Sequence, residues 1–95
     1  MRKVVSPRPV CELACCLGRN IRRQRRARRL SQERLSEKAG IHYTYLGHIE
    51  RGNRLPSLCI LHVIASALSV PTNALLKNVG APGGEHCRRG ASLER

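Results

Sequence analysis

Residues 32–51 read QERLSEKAGIHYTYLGHIER, and the pattern of this stretch decides the fold. Apolar residues recur every three or four positions on both sides of Gly40, which places them on one face of each of two α-helices. Glycine adopts the left-handed conformation of a tight turn without steric cost, so Gly40 is expected to end the first helix. The residues expected on the two meeting faces are Leu35, Ala39, Ile41, Leu46 and Ile49.

Two helices whose apolar faces meet across a tight turn form the helix-turn-helix pattern. The small side chain of Ser36 stands where two such helices would cross closely. An ordinary helical hairpin also needs apolar inner faces, and it is the competing interpretation. Five apolar positions, one small residue and the turn glycine are all in register, which favours the helix-turn-helix.

Signals at both ends of this stretch indicate further helices. Ser31 is placed to cap the helix that begins at residue 32, because its hydroxyl can accept a backbone N–H two or three residues on. Ser57, after Pro56, can cap a fourth helix in the same way, and Pro71 suits the first turn of a fifth. No segment alternates apolar and polar residues as a strand does. We therefore expect an all-α fold, a compact five-helix domain.

The first helix is predicted upstream, where residues 17–30 carry seven arginines and no acid. Apolar residues recur there every fourth position, so this helix is basic and amphipathic. The N-terminal segment MRKVVSPRP contains two prolines, and the C-terminal segment GAPGGEHCRRGASLER is rich in glycine with little to bury. We expect a flexible extension over 1–12, the DNA-binding domain over 13–79 with its helix-turn-helix at 32–51, and a flexible tail over 80–95.

The charge balance points to a polyanionic partner. The 95 residues contain 18 Lys and Arg against six acids, a net charge of +12. There is no Phe or Trp and there are two Tyr, so the aromatic platforms on which single-stranded nucleic acids stack are nearly absent. Duplex DNA is the favoured partner. A nonspecific basic coat for nucleic acid is an alternative, which the ordered helix-turn-helix register argues against.

Other classes of protein are disfavoured by what the sequence lacks. It has no Asp, and its His and Glu residues are scattered, so no catalytic triad or carboxylate dyad is recognisable; we expect no enzyme and no cofactor. No apolar run is long enough for a signal peptide or a membrane span, so we expect no membrane partner. A cytoplasmic protein with reduced thiols, associated with the nucleoid, follows as the expected location.

Five cysteines are present, an odd number without a CxxC pair. A metal or redox-sensing site would have to be built from Cys11, Cys15, Cys16, His86 and Cys87. Four ligands at a familiar spacing are missing, so we expect buried or incidental thiols and no metal.

From Leu17 to about Leu76, the sequence resembles the phage repressor and Cro-type (Xre-like) helix-turn-helix regulators. The resemblance runs through LGRNIRRQRR, LSQERLSEKAG, YLGHIERGNRLPSL and IASALSVPTNALL. Residues 42–58, HYTYLGHIERGNRLPSL, look most like controller proteins of restriction-modification operons, and a related pattern occurs in antitoxins. The resemblance implies a transcriptional regulator that binds an operator; the alternative is an antitoxin with a toxin partner that also represses its operon.

The exposed early face of the second helix of the pair is expected to read bases in the major groove. With the apolar residues turned inward, the outward residues are Tyr43, Thr44 and His48, the candidates for base contacts. Their hydroxyl, methyl and imidazole groups match the donors, acceptors and thymine methyl of base edges. Tyr43 and Gly47 depart from the family pattern here, as does Gln24 in the first helix, so the family's base preferences do not transfer.

Other residues are expected to hold the DNA backbone. Gln32 begins a helix whose N-terminal N–H groups can donate hydrogen bonds to an anion. In the family that the sequence resembles, this position lies next to a phosphate. Arg51 and Arg54 follow the recognition helix, and Arg22 and Arg26 of the first helix are assigned to flanking phosphates. The resemblance further implies that Arg25 and Glu50 form a structural pair, since a buried carboxylate without its partner would be costly.

The fourth helix, LCILHVIASAL at residues 58–68, has apolar residues around most of its circumference. The face expected to pack in the core carries Leu61, Ile64, Ala65 and Leu68. Cys59, Ile60 and Val63 remain, and we expect them in a homodimer interface, since half-site reading favours a twofold pair. The alternative is that the N-terminal stretch of the same chain covers them.

Overall fold

The computed structural model describes residues 7–79, with side chains from residue 12 onward. The predicted tail at 80–95 and the first six residues of the predicted extension lie outside the described residues. Over the described part the chain forms five helices and no strand, which confirms the all-α prediction. The helices are α1 (Pro7–Ala27), α2 (Gln32–Ala39), α3 (Tyr43–Arg51), α4 (Leu58–Leu68) and α5 (Thr72–Leu75).

The first helix starts earlier than the sequence led us to expect. Its first residue is Pro7, so residues 7–12, predicted as part of a flexible extension, are helical. The expectation rested on two prolines, Pro7 and Pro9, as helix breakers. The first four N–H groups of a helix have no partner within the helix, so prolines in the first turn remove no hydrogen bond.

Local capping defines where the other helices begin and end. The Ser31 hydroxyl accepts the backbone N–H of Arg34 at 3.0 Å, and the Ser57 hydroxyl accepts that of Ile60 at 3.1 Å. Gly40 ends α2 in the left-handed conformation, with φ 76° and ψ 28°. These three positions agree with the prediction. Pro71 precedes the first turn of α5 as its N-cap rather than lying within it.

One buried cluster joins all five helices. It packs α1 against α3, α2 against α3 and α4, and α5 against α4 and α1. Its members are Leu17, Ile21, Leu35, Leu46, Ile49, Leu61, Ile64, Ala65, Leu68 and Leu75. The apolar faces read from the sequence of α2, α3 and α4 therefore point inward together.

Two residues of α1 determine how closely it packs, and periodicity does not reveal either. At Gly18 a Cβ would lie 2.5 Å from the carbonyl oxygens of Ile49 and Glu50, so the backbones of α1 and α3 touch there. Two residues on, the buried Asn20 amide donates to the carbonyls of Leu75 and Lys77 at 2.9 and 3.0 Å. These bonds satisfy the carbonyl of the last residue of α5 and that of a residue just beyond it.

Replacing Gly40 by Val should lower the free energy of unfolding by about 1–3 kcal/mol, because a β-branched residue is strained at positive φ. A Cβ at Gly40 would meet no atom within 4 Å, so the loss comes from backbone strain and not from separation of the helices. Gly40→Asn is the matched control and should lose less, since asparagine tolerates the left-handed region. Urea unfolding measures both; equal losses would contradict the strain argument.

Candidate nucleic-acid interface

The outer face of α3 presents the residues predicted to read bases. Leu46 and Ile49 are fully buried, which fixes the rotation of the helix about its axis. Tyr43 is 45% exposed, Thr44 is exposed and His48 is half-buried at the surface. The three side chains thus share the solvent side of one short helix, as the sequence pattern predicted.

A hydrogen bond within α3 determines which hydrogen-bonding group His48 presents. The Arg51 Nη2 atom lies 3.1 Å from His48 Nδ1. Because arginine is always protonated and can only donate, Nδ1 of His48 is the acceptor, and in the neutral ring the proton resides on Nε2. His48 therefore offers a donor outward, which suits the N7 and O6 acceptors of guanine.

His42, which the sequence reading did not single out, starts the recognition helix. Its Nδ1 accepts the backbone N–H of Thr44 at 3.1 Å, so imidazole replaces the usual Ser, Thr, Asp or Asn cap. The His42 ring also meets the ring of Tyr43 edge to face, with centroids 5.2 Å apart. The signal available in the sequence was its position, directly before the first helical residue.

Positive side chains flank this face. Arg51 is exposed as the last residue of α3 and not in the loop after it, as the sequence had suggested. Arg54 is exposed beyond the helix, and its guanidinium lies over the Tyr45 ring, 5.6 Å from the centroid. On α1, Arg26 is exposed and the side chain of Arg22 is 38% exposed. The structure therefore places all four arginines assigned to phosphates at the protein surface.

Gln32 has a second role that the sequence did not indicate. Its Nε2 donates to Glu50 Oε1 at 2.9 Å, so one of its two amide hydrogens is used inside the protein. Its Oε1 and the Arg51 Nη1 would be 3.5 and 3.3 Å from a Cβ at Gly47. Gly47 thus leaves room for these two side chains beside α3.

Arg25 and Glu50 form a bidentate pair, which the family resemblance implied. Arg25 Nε and Nη2 donate to the two carboxylate oxygens at 2.7 and 3.0 Å. The Glu50 side chain is fully buried, and the same Arg25 donates to the carbonyl of Leu30 at 2.8 Å. The pair joins α1 to α3 and, through Gln32, to α2.

The residues assigned to a dimer interface lie on α4. Cys59 is exposed, while Ile60 and Val63 are half-buried, and Ile60 also packs against the core of its own chain. Nearby, Leu55 and Leu58 are 48% and 72% exposed. This end of α4 therefore carries apolar side chains that the described part of the chain does not cover.

The cysteines do not come together as a metal site in the part of the chain that the structure describes. No three His, Cys or Glu side chains there are grouped to hold an ion. Cys15 is half-buried, Cys16 is buried and Cys59 is exposed, and none of the three forms a disulfide. His86 and Cys87 lie outside the described residues, as does the side chain of Cys11.

In this structure a short helix follows a tight turn and packs on a five-helix core. It exposes hydrogen-bonding groups and has arginines nearby, which is the arrangement of a helix-turn-helix DNA-binding protein. Residues 21–75, more than half of the chain, match the helix-turn-helix family HTH_3. The chain belongs to this family of DNA-binding transcriptional regulators.

Two sequence relatives illustrate the match. Control protein C.SmaI of Serratia marcescens is 41% identical over 64 residues, which cover 67% of this chain and 76% of that protein. The immunity repressor of Bacillus phage phi105 is 38% identical over 60 residues, covering 63% of this chain and 42% of that protein. The chain thus spans less than half the length of the phage repressor.

Solved structures agree with the sequence relatives. The restriction-modification controller C.AhdI from Aeromonas hydrophila matches with a TM-score of 0.65 and 35% identity, over 65% of this chain and 94% of that one. The biofilm regulator SinR, solved in complex with DNA, matches with a TM-score of 0.61 and 34% identity, over 63% and 97%. Among residues 7–79, no helix is both long and apolar enough to cross a membrane.

Replacing Arg25 by Leu should destabilise the protein by about 3–5 kcal/mol, because Glu50 would stay buried without its main partner. The double variant Arg25→Leu with Glu50→Leu removes the buried charge and should recover most of that loss. Urea unfolding of the parent, both single variants and the double variant gives the coupling energy. A double variant no more stable than Arg25→Leu would show that the pair is not responsible.

Proposed function

We propose that this chain is a sequence-specific regulator of transcription that binds an operator in duplex DNA as a homodimer. The observation that carries the proposal is the outer face of α3. This face presents Tyr43, Thr44 and His48 at the surface, where exposed arginines are also found. The net charge of +12 supports a nucleic-acid partner of opposite sign.

Base reading is assigned to the three side chains on α3. His48 presents Nε2–H, and Tyr43 and Thr44 carry hydroxyls at the first turn of the helix, where helix-turn-helix proteins contact base edges. The capping of α3 by His42 and the contact between the two rings hold that first turn in place. Side chains that are already fixed favour binding, because less conformational entropy is lost when they contact the bases.

Phosphate binding is assigned to the residues around that face. Arg51, Arg54, Arg22 and Arg26 are at the surface, and Gln32 begins α2, whose N-terminal N–H groups favour an anion. Such contacts position a protein on DNA without reading its sequence. SinR, a structural relative solved in complex with DNA, supports DNA as the partner of this fold.

The homodimer is assigned to α4. Cys59 and Val63 lie four residues apart on one face of α4, and Leu55 and Leu58 are exposed just before and at its start. Burying these apolar groups against a second copy would remove them from water. A twofold pair would also double the contacts with DNA by reading two half-sites.

A regulatory role at an operator is supported by two relatives named as control or controller proteins and one named as an immunity repressor. Neither those three nor SinR is named as an antitoxin, so we do not extend the proposal to a toxin partner. With this function, the protein would act at the nucleoid, in the cytoplasm.

Alanine at Tyr43, Thr44 or His48 should cost roughly 1–3 kcal/mol on the operator and much less on a scrambled duplex, because base contacts carry the specificity. Alanine at Arg54 should weaken both duplexes alike. Alanine at Arg51 also removes the bond to His48, so it should lower both affinity and discrimination. Titration of each variant against both DNAs at fixed salt makes the comparison, with Lys38→Ala on the end of α2 as the control. Equal losses on both duplexes for every variant of the first group would contradict the assignment.

Replacing Cys59 and Val63 together with Glu should separate the dimer, since carboxylates would be desolvated and face like charges across a twofold axis. Ile60 is left unchanged because it also packs in the core. The affinity for a two-half-site operator should fall by about 10²-fold or more. The control, Cys59→Ser with Val63→Ala, keeps the sites neutral and should remain dimeric. Sedimentation gives the masses; an unchanged mass for the Glu variant would place the dimer elsewhere.

A further inference from the structure

His42 lies between the turn and α3, and its side chain caps this helix. The first N–H groups of a helix have no acceptor within it, and His42 Nδ1 accepts one of them, that of Thr44, at 3.1 Å. The carbonyl of His42 accepts the N–H of Leu46, also at 3.1 Å, so the backbone anchors α3 independently of the ring. The imidazole therefore acts on the first turn of the helix.

This cap differs from the usual ones because it can gain a proton near neutral pH. A neutral imidazole accepts a hydrogen bond through its unprotonated nitrogen, whereas an imidazolium carries a proton on both nitrogens and accepts none. Imidazole changes its charge between about pH 5 and 8. A cation at the N-terminal end of a helix is also disfavoured by the helix dipole. Both effects act in the same direction, so the cap is formed at the higher pH and lost as the pH falls.

The groups around the His42 ring do not reverse this direction. The Tyr43 ring meets it edge to face with centroids 5.2 Å apart, and an aromatic ring can also pack against a cation. The last turn of α2 carries two exposed charged side chains, Glu37 and Lys38, and Glu37 is 3.9 Å from Arg34. In the part of the chain that the structure describes, no carboxylate forms an ion pair with His42, so no such pair stabilises the cationic ring.

The other charged groups packed on α3 lie toward its opposite end. Arg22 and Arg25 of α1 both face Glu50 there. Arg51, the last residue of the helix, donates to Nδ1 of His48. A protonated His48 would lose this bond, just as the capping ring would lose its own. The recognition face thus holds a second titratable ring, whose effect has to be separated by experiment.

Loss of the cap acts directly on the residues assigned to base reading. Tyr43 and Thr44, two of the three, are the residues that the His42 ring contacts. With the Thr44 N–H released, the first turn is less ordered, and contact with bases then costs more conformational entropy. The charge of the protonated ring attracts any DNA irrespective of sequence. Discrimination between duplexes should therefore fall as the pH is lowered, while the affinity for an unrelated duplex should not.

We propose that His42 is a positioning residue for base reading, and that protonation of its ring releases the cap of α3 and lowers the discrimination between the operator and other duplexes. The inference rests on the proposed function and adds a residue that sets the pH range in which DNA is read selectively. This effect requires no contact between His42 and DNA.

The first experiment measures discrimination at two pH values. Discrimination is the ratio of the dissociation constants for a scrambled duplex and for a duplex selected from random sequence, at fixed salt. All proteins compared carry His48→Gln, because glutamine can still accept from Arg51 and does not titrate. Between about pH 8 and about pH 5.5 this protein should lose about threefold to fivefold in discrimination, the size of the effect of an N-cap. Adding His42→Ser, which caps at both pH values, should abolish the loss.

Adding His42→Ala instead removes the cap and leaves no titrating group, so discrimination should be low at both pH values. Equal losses with His42 and with His42→Ser, or no loss with either, would overturn the proposal. So would a His42→Ala protein that discriminates as well as the His42→Ser protein. Circular dichroism verifies that each variant is helical, and His42→Asn takes the place of His42→Ser if that variant does not fold.

The second experiment follows the cap itself in the DNA-free protein by NMR. The Thr44 amide proton resonance should move upfield as the pH falls, with the same midpoint as the resonances of the His42 ring, because its hydrogen bond to Nδ1 is lost. In His42→Ser it should stay in place over the same range. A Thr44 resonance that does not follow the protonation of the ring would overturn the proposal.

The outcomes for the two proposals are separable. If no duplex is selected from random sequence, operator binding is refuted, whereas the NMR titration still decides whether protonation releases the cap. If a duplex is selected and the cap stays formed at low pH, operator binding stands and the role assigned to His42 is refuted.

Discussion

The carboxylate of Glu50 is enclosed at the point where α1, α2 and α3 meet, and the geometry of the DNA-binding face depends on its partners. A carboxylate without hydrogen bonds would be costly at such a depth, so the three bonds from Arg25 and Gln32 at 2.7 to 3.0 Å must form together. They fix α3 against α1 on one side and the start of α2 on the other. The angle at which the recognition helix faces DNA is thereby set inside the protein.

This arrangement links the residues proposed to bind phosphates to those proposed to read bases. Gln32 and Arg51, both assigned to phosphates, lie near Gly47, and Arg51 donates to His48 on the face proposed to read bases. A Cβ at position 47 would lie 3.3 Å from Arg51 Nη1, a tight contact, and 3.5 Å from Gln32 Oε1, an ordinary one. Gly47, which like Tyr43 departs from the family pattern in this helix, thus leaves room for the Arg51 side chain.

Much of this was predictable from the sequence because it depends on local chemistry. Helix periodicity gave the inward faces of α2, α3 and α4, and the caps at Ser31 and Ser57 and the turn at Gly40 follow from residue type. The contacts that could not be predicted join distant residues. Asn20 donates to carbonyls 55 and 57 residues away, and Gln32 donates to the Glu50 carboxylate 18 residues away. No pattern within one helix carries that information.

The contact of Arg54 with Tyr45 has a consequence for the thermodynamics of binding. An arginine side chain held to a phosphate gives up rotamer freedom, at a cost of up to about 2 kcal/mol. The Arg54 guanidinium lies over the ring of Tyr45 in its own chain. Part of that entropy is therefore lost during folding, and the proposed phosphate contact would carry a smaller unfavourable entropy at this residue than at a mobile surface arginine.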